Sequence, residues 1–313
     1  MTHARDAVTR WLLGGDAAIR WQVHRDLLDS AASTVERERR KVATEGWGKR
    51  ILALQAAGGS WGGGMYNPKW TSTFYTMMLL RDFGLSPANR QAKRGCALLL
   101  DQGLRPNGGV NYKRGAPGET CVTGMALSIA AYFEHADDRI DTIAGFLRGE
   151  QMADGGWNCR RASGATHSSV NTTISVLEGL RFYELLQRRG VNAVAAAQRK
   201  GRAFLLVHRL FRSHRTGKVI KSEFTRFSFP PRWHYDVLRA LDHFQSVNAP
   251  RDERLADAVA LMRSKRGADG RWRLEHIHKG QVHFELERAG EPSRWNTLRA
   301  LRVLRWWEGG RTS

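Results

Sequence analysis

Apolar residues recur at three- and four-residue intervals along much of this chain, as at Ile143, Phe146 and Leu147 or at Ala203, Leu206 and Leu210. That period predicts helices with one buried stripe. Glycines follow these stretches and stop the helix. Two of the stops share a pattern, Gln55, Gly59, Trp61 and Gln151, Gly155, Trp157, each spaced Q-x-x-x-G-x-W. Arg266, Gly270 and Trp272 keep the spacing with Arg for Gln, while Leu104, Gly108, Val110 and Ser213, Gly217, Val219 keep the glycine and an apolar end. A recurrence of about 50 to 60 residues has room for two helices and their connections.

A second helix is expected after each glycine turn. Its start is marked by Lys69-Trp70-Thr71-Ser72, Glu119-Thr120-Cys121, Thr166-His167-Ser168, Pro231-Arg232-Trp233-His234 and Ser293-Arg294-Trp295-Asn296, where Pro, Ser and Thr suit capping or first-turn positions. Arg20-Trp21-Gln22 opens an equivalent helix before the first turn. The complementary helices fall near residues 3–13, 36–57, 88–102, 138–152, 192–213 and 252–267. The first set carries few charges beyond its first turn, as in Met125-Ala126-Leu127-Ser128-Ile129-Ala130-Ala131, and reads as an inner ring. The second is charged on one face, as at Glu36, Arg37, Arg39 and Arg40, and reads as an outer ring. The expected fold is all-α: six helical hairpins closing into one α/α toroid domain over residues 1–313, with the terminal helices side by side.

Composition narrows the class. With 42% hydrophobic and 26% charged residues in 313, the chain is neither disordered nor collagen-like and has a sizeable core to bury. Cys96, Cys121 and Cys159 are too few for a disulfide framework, which points to a reducing compartment. Residues 1–13 hold no apolar run of signal-peptide length, and no stretch approaches the roughly 18 apolar residues of a membrane span. The expected location is cytoplasmic. A formal charge of +20 changes the picture more. It reads either as a surface for an anionic partner, such as phosphate, nucleic acid or acidic lipid, or as arginine enrichment from GC-rich coding without a binding role.

The Q-x-x-x-G-x-W repeat resembles that of the terpenoid cyclase and protein prenyltransferase superfamily, and the resemblance covers nearly the whole chain. It implies the toroid fold and a prenyltransferase- or terpene-cyclase-like protein that binds an apolar, diphosphate-bearing isoprenoid in the central cavity. The D-x-D-D acid motif of squalene-type cyclases does not occur. Asp137-Asp138-Arg139-Ile140-Asp141 matches a magnesium-binding D-D-x-x-D of another enzyme fold, but here it reads as the capped opening of an outer helix. Protein prenyltransferases carry a zinc motif resembling G-G-F-x-G-R-P-x-K-x-x-D-x-C, with a His from the next inner helix. By that resemblance Gly108-Gly109-Val110 places Glu119 and Cys121 on the Asp and Cys positions, Lys113 on a basic position and Ala116 where the family has a lysine. His167, which opens the next inner helix, completes the implied Zn²⁺ set.

The residues themselves supply further candidates. Arg20, Lys69, Arg232 and Arg294 take matching places at four inner-helix starts, so ring closure would gather them at one mouth where helix N-termini favour anions. Trp21, Trp70, Trp233 and Trp295 follow those cations, with Tyr75 a turn into its helix. They read as faces for a prenyl chain or carbocation, or as packing between hairpins. His234 and Asp236 are the general acid–base pair if no metal acts. His276, His278 and His283 alternate as a loop would and read as solvated surface. The competing function is a non-catalytic protein that binds a polyanion through its basic exterior.

Overall fold

The computed structural model describes residues 2–134, 136–188 and 190–309, with the side chains of residues 2–6 left aside. It is all-α. Thirteen α-helices lie among the described residues: α1 (Thr2–Leu13), α2 (Ala17–Asp26), α3 (Ala32–Arg40), α4 (Gly46–Leu52), α5 (Thr73–Phe83), α6 (Arg90–Gly103), α7 (Thr120–Phe133), α8 (Arg139–Gly149), α9 (Val170–Leu185), α10 (Val191–Val207), α11 (Val237–Ser246), α12 (Ala256–Ser264) and α13 (Arg294–Trp307). Extended backbone is confined there to isolated bridges such as Leu104 with Val110.

Helices α2, α5, α7, α9, α11 and α13 touch in a closed cycle, α13 returning to α2. The others pack outside it. Burial follows the same division: almost every residue of α7 from Val122 to Ala131 is buried, whereas α3 buries none. The contact between α7 and α9 is the closest because neither backbone carries a side chain where they cross. A Cβ on Gly124 would lie 2.7 Å from Val176 Cα, and one on Gly179 would lie 2.2 Å from the Gly124 carbonyl oxygen.

The repeat has a physical meaning that each residue type serves. Gln151 Nε2 donates to the Gly155 carbonyl at 2.7 Å and to Ala197 at 2.8 Å, and Gln55 makes the same bonds to Gly59 and Gln91. Gly155 has φ +93°, a left-handed conformation that suits glycine. The indole of Trp157 is fully buried and donates to Leu147 carbonyl, as Trp61 does to Ile51 and Trp272 to Met262. Arg266 replaces glutamine by donating Nε to Gly270 at 3.2 Å. The motif therefore staples each outer helix end to the turn that follows.

A further element of the repeat emerges in three dimensions. Thr73, Thr123, Thr173 and Thr297 accept from the backbone N–H of Trp61, Val110, Trp157 and Trp272 at 2.8–3.0 Å, tying each turn to its inner helix. The fifth unit departs from this, since Val219 is exposed and Tyr235 donates its hydroxyl to Leu210 carbonyl at 2.5 Å. The helix expected over 36–57 is broken at Gly46, whose φ is +61° and whose neighbour Trp47 donates its N–H to Asp16. Asp137 opens α8, accepting the Arg139 N–H and pairing with its guanidinium.

Candidate functional site

A cavity of about 790 Å³ lies within the ring. Its wall draws on the final turns of α2, α5, α7, α9 and α11, through Asp26, Asp82, Tyr132, Leu185 and Ser246, and on one face of α13, through Trp295, Arg299 and Arg302, so the cavity opens toward the C-terminal ends of those five helices. The N-terminal face is closed instead. Phe227–Arg232 forms a plug in front of α11: Phe229 stacks on Trp295 at 4.0 Å, and Ser228 carbonyl accepts from Arg299. Residues 276–283 strap across it, where Gln281 N–H donates to Lys69 carbonyl and Trp70 Nε1 donates to the His278 and Lys279 carbonyls.

Eight arginines and four carboxylates line the cavity. Helix C-termini carry partial negative charge, and several arginines answer it directly. Arg39 donates to Gly84 carbonyl and to Tyr132 hydroxyl, and Arg181 to Ser246 carbonyl. The carboxylates are all paired: Asp82 with Arg81, Asp242 with Arg299 and Arg302, Asp26 with Arg25 and Arg302, and Glu178 with Arg239. The Glu178–Arg239 pair is bidentate at 2.8 and 2.7 Å. Burial alone would raise Glu178, but the adjoining guanidinium more than offsets it and holds the carboxyl below its ordinary value. His243 at the wall is pushed by burial down to about 3 and is neutral.

Arg232 differs from the rest. It is 7% exposed, reaches the cavity from the plug and makes no hydrogen bond or ion pair among the described residues; the Trp70 ring lies 5.3 Å away and the Asp82 charge favours its protonated form. Burial pushes its guanidinium down to about 10. Its nitrogens face the open cavity, where an anion would meet donors that the protein leaves unshared. Trp21, Trp295, Phe182 and Leu186 supply apolar surface alongside it.

The other expected residues lie elsewhere. Arg20 is consumed by Glu38, Glu45 and the Gly15 carbonyl. Arg294 donates to Trp11 carbonyl and covers the Trp11 ring. Lys69 faces Tyr66, Trp70 and Trp233 on the plugged side, and Lys113 is exposed. The four cations therefore do not share a mouth, because α5 and α11 begin at Thr73 and Val237, leaving Lys69, Arg232 and their tryptophans in pre-helix loops. Trp21 and Trp295 face the cavity, whereas Trp70 and Trp233 sit beneath the strap. Tyr75 is buried and donates its hydroxyl to Tyr66.

His234 and Asp236 are not partners. Asp236 caps α11 and accepts from Arg239 N–H and from Ser228 N–H and Oγ, while His234 stacks between Trp233 at 3.7 Å and His278 at 3.8 Å. Burial lowers His234 to about 4 and His278 to about 3. His278 Nε2 reaches Ser228 Oγ, and His283 Nε2 reaches Thr76 Oγ1, so the three-histidine segment is structural rather than freely solvated.

A second cluster lies at the start of α7, about 20 Å along that helix from its cavity end. Donor atoms of Glu119, Cys121 and Cys159 fall within 4.8 Å of one another and could hold a metal ion. Cys121 Sγ donates to Glu119 Oε1 at 3.3 Å, and Cys159 Sγ meets Thr172 Oγ1 at 3.2 Å. The neighbouring Cys159 sulfur, together with burial, holds Cys121 well above its ordinary value, while Cys121 pulls Cys159 below its own. His167 is outside this group, exposed before α9 with only its carbonyl engaged, by Asn158.

Sequence alone points to Trp21, Arg232 and Trp295 of the cavity wall but not to its charged lining. Its signal is the Arg-Asp pair that closes both α2 (Arg25-Asp26) and α5 (Arg81-Asp82), a recurrence in step with the repeat.

No family model and no curated protein matches the chain. Among solved structures it is similar to a protein from Actinoplanes, at 15% identity over 94% of this chain and 90% of that one, with a TM-score of 0.47. It is also similar to the type II terpene cyclase MstE from Scytonema, at 12% identity over 86% of this chain and 96% of that one in the apo form, with a TM-score of 0.36. A variant of that enzyme in complex with geranylgeranyl dihydroxybenzoate gives the same values.

Proposed function

We propose that the chain is a single α/α toroid domain of prenyltransferase and terpene cyclase type, and that its cavity binds an isoprenoid diphosphate with Arg232 as the inner anchor. The buried, unpartnered Arg232 carries this reading. A diphosphate oxygen would supply the acceptor that the fold withholds, and the arginine excess of the wall would balance the remaining charge. Trp21, Trp295 and Phe182 offer aromatic faces to the hydrocarbon. All four lining carboxylates are engaged by arginine, so the wall serves anion binding better than it serves protonation of an alkene. A Zn²⁺ ion at the α7 rim belongs to the same reading.

Quenching of tryptophan fluorescence by geranylgeranyl diphosphate, inorganic diphosphate and geranylgeraniol tests it, since Trp21 and Trp295 border the cavity. The diphosphate-bearing lipid should bind tightest, and Arg232→Met should weaken it about ten- to a hundredfold. Equal binding of the alcohol, or an unaltered Arg232→Met, would sink the proposal. The +20 charge supports a second reading as a polyanion-binding protein. Salt-sensitive nucleic-acid binding that ignores Arg232→Met would favour that one. No helix among the described residues is long and apolar enough to cross a membrane.

A further inference from the structure

We infer that Cys159, not His167, is the third protein ligand of a thiophilic metal site completed by Glu119 and Cys121. The inference deepens the zinc reading and is independent of what the cavity binds. Two separate elements bring the donors together: Glu119 and Cys121 flank the first residue of α7, and Cys159 lies in the turn after the buried Trp157. The repeat itself sets this meeting. Trp157 N–H is fixed to Thr173, and Cys159 N–H and Sγ both meet Thr172 Oγ1, so the turn is pinned to the start of α9, and its sulfur then lies within 4.8 Å of the Glu119 and Cys121 donors of α7.

Glu119 carries the second observation. It occupies the N-cap position of α7, yet its side chain makes no capping hydrogen bond and is aimed at the Cys121 sulfur instead. The side chains that ordinarily cap a helix start are Ser, Thr, Asp and Asn, so the longer Glu119 carboxylate is left available to the sulfur. Its 3.3 Å separation from Cys121 Sγ is close to the edge of a tetrahedron with metal–sulfur and metal–oxygen bonds of about 2.3 and 2.0–2.2 Å. All three residues are half-buried, so an ion has access to the donors.

Two thiolates and one carboxylate suit a soft, tetrahedral dication such as Zn²⁺. Binding replaces the thiol protons: M²⁺ joins both sulfurs and one Glu119 oxygen, and two protons leave to solvent. The site so formed carries three protein ligands and one open position. His167 has no place in it, since its ring is exposed in the following loop and only its backbone carbonyl is held.

The test uses the full-length, reduced, metal-free protein titrated with Co²⁺, then with Zn²⁺ as competitor. One Co²⁺ per chain is expected, with tetrahedral visible bands and a near-ultraviolet sulfur-to-cobalt band of two-thiolate intensity, all bleached by Zn²⁺. This spectrum counts the sulfurs in the unaltered protein, so the assignment does not depend on variants that fold poorly. Cys121→Ser and Cys159→Ser should each weaken binding about a hundredfold or more and reduce the sulfur band, while His167→Ala and Cys96→Ser should leave both unchanged. Loss in His167→Ala with full binding in Cys159→Ser would overturn the assignment and leave the zinc reading standing. No cobalt spectrum from the wild type, or the disappearance of two titratable thiols into a disulfide in the absence of metal, would overturn both, with the cavity reading untouched.

Discussion

The two faces of the ring invert the electrostatics expected of them. Helix N-termini attract anions, yet on this side the mouth is filled by the chain itself: Phe229 stacked on Trp295, the strap from His276 to His283, and a stack of Trp233, His234 and His278. At the C-terminal side the helix ends are partially negative, and there the cavity opens with eight lining arginines. The comparison shows that a dipole worth a fraction of a charge is readily outweighed by full side-chain charges within a few ångströms. Carbonyl ends that would repel an anion are covered by guanidinium donors such as Arg39 and Arg181, and Arg232 comes through the plug to the same space.

The largest test of this arrangement removes a wall ion pair. Glu178→Ala leaves Arg239, itself 2% exposed, without its bidentate carboxylate partner, and should destabilise the fold by about 3–5 kcal/mol in urea unfolding. Exchange of both partners, Glu178→Leu with Arg239→Met, should cost much less. A single variant as stable as wild type would show that the pair is not a structural part of the wall.

Arg232→Met sharpens the contrast from the other direction. Because this guanidinium has no hydrogen-bond or ion-pair partner among the described residues, its removal should leave the melting temperature unchanged or slightly higher while diphosphate affinity falls about ten- to a hundredfold. Parallel thermal melts and binding titrations read both effects. A large loss of stability would mean that Arg232 holds the plug rather than awaits an anion.

Acidification probes both faces together. His243 at the cavity and His234 and His278 beneath the strap all have folded pKa values below that of an unfolded histidine, at about 3, 4 and 3, with burial the leading cause. The unfolded chain therefore binds protons first, and the stability tied to the neutral rings, complete above pH 6.5, should decline as pH falls toward 4, by about 1.4 kcal/mol per unit for the buried His243 and by less for the partly exposed His234 and His278. His243→Phe should flatten the slope measured by chemical unfolding from pH 7.5 to 4.5. A slope unchanged by that variant would assign the acid sensitivity to the strap alone.

The smallest effect is expected on the plugged face. Lys69→Met removes a cation that sits over Tyr66, Trp70 and Trp233, away from the cavity wall. Affinity for an isoprenoid diphosphate should stay within about twofold of wild type, less than the worth of one charge-assisted hydrogen bond. A tenfold loss in the same titration would place the anion at the helix N-termini after all and reverse the comparison.

Local and periodic features were legible from residues alone. The Q-x-x-x-G-x-W spacing marked the turns because glutamine, left-handed glycine and buried tryptophan each complete a bond within about ten residues, as Gln151 does to Gly155 and Trp157 to Leu147. Helix type and the division between inner and outer helices followed from hydrophobic period, and Glu119 and Cys121 are adjacent because they flank one residue. What the chain order could not place were contacts between distant segments. Cys159 reaches Cys121 only after two turns of the repeat pack together, and His167, close to it in sequence, is directed away by the loop before α9. Likewise the four inner-helix cations looked equivalent in register, but Arg20 met Glu38 and Glu45 while Arg232 forms no ion pair among the described residues. Whether a charge is paired depends on which side chains the folded ring brings within about 4 Å of it, and repeat spacing along one strand of chain carries no information on that distance.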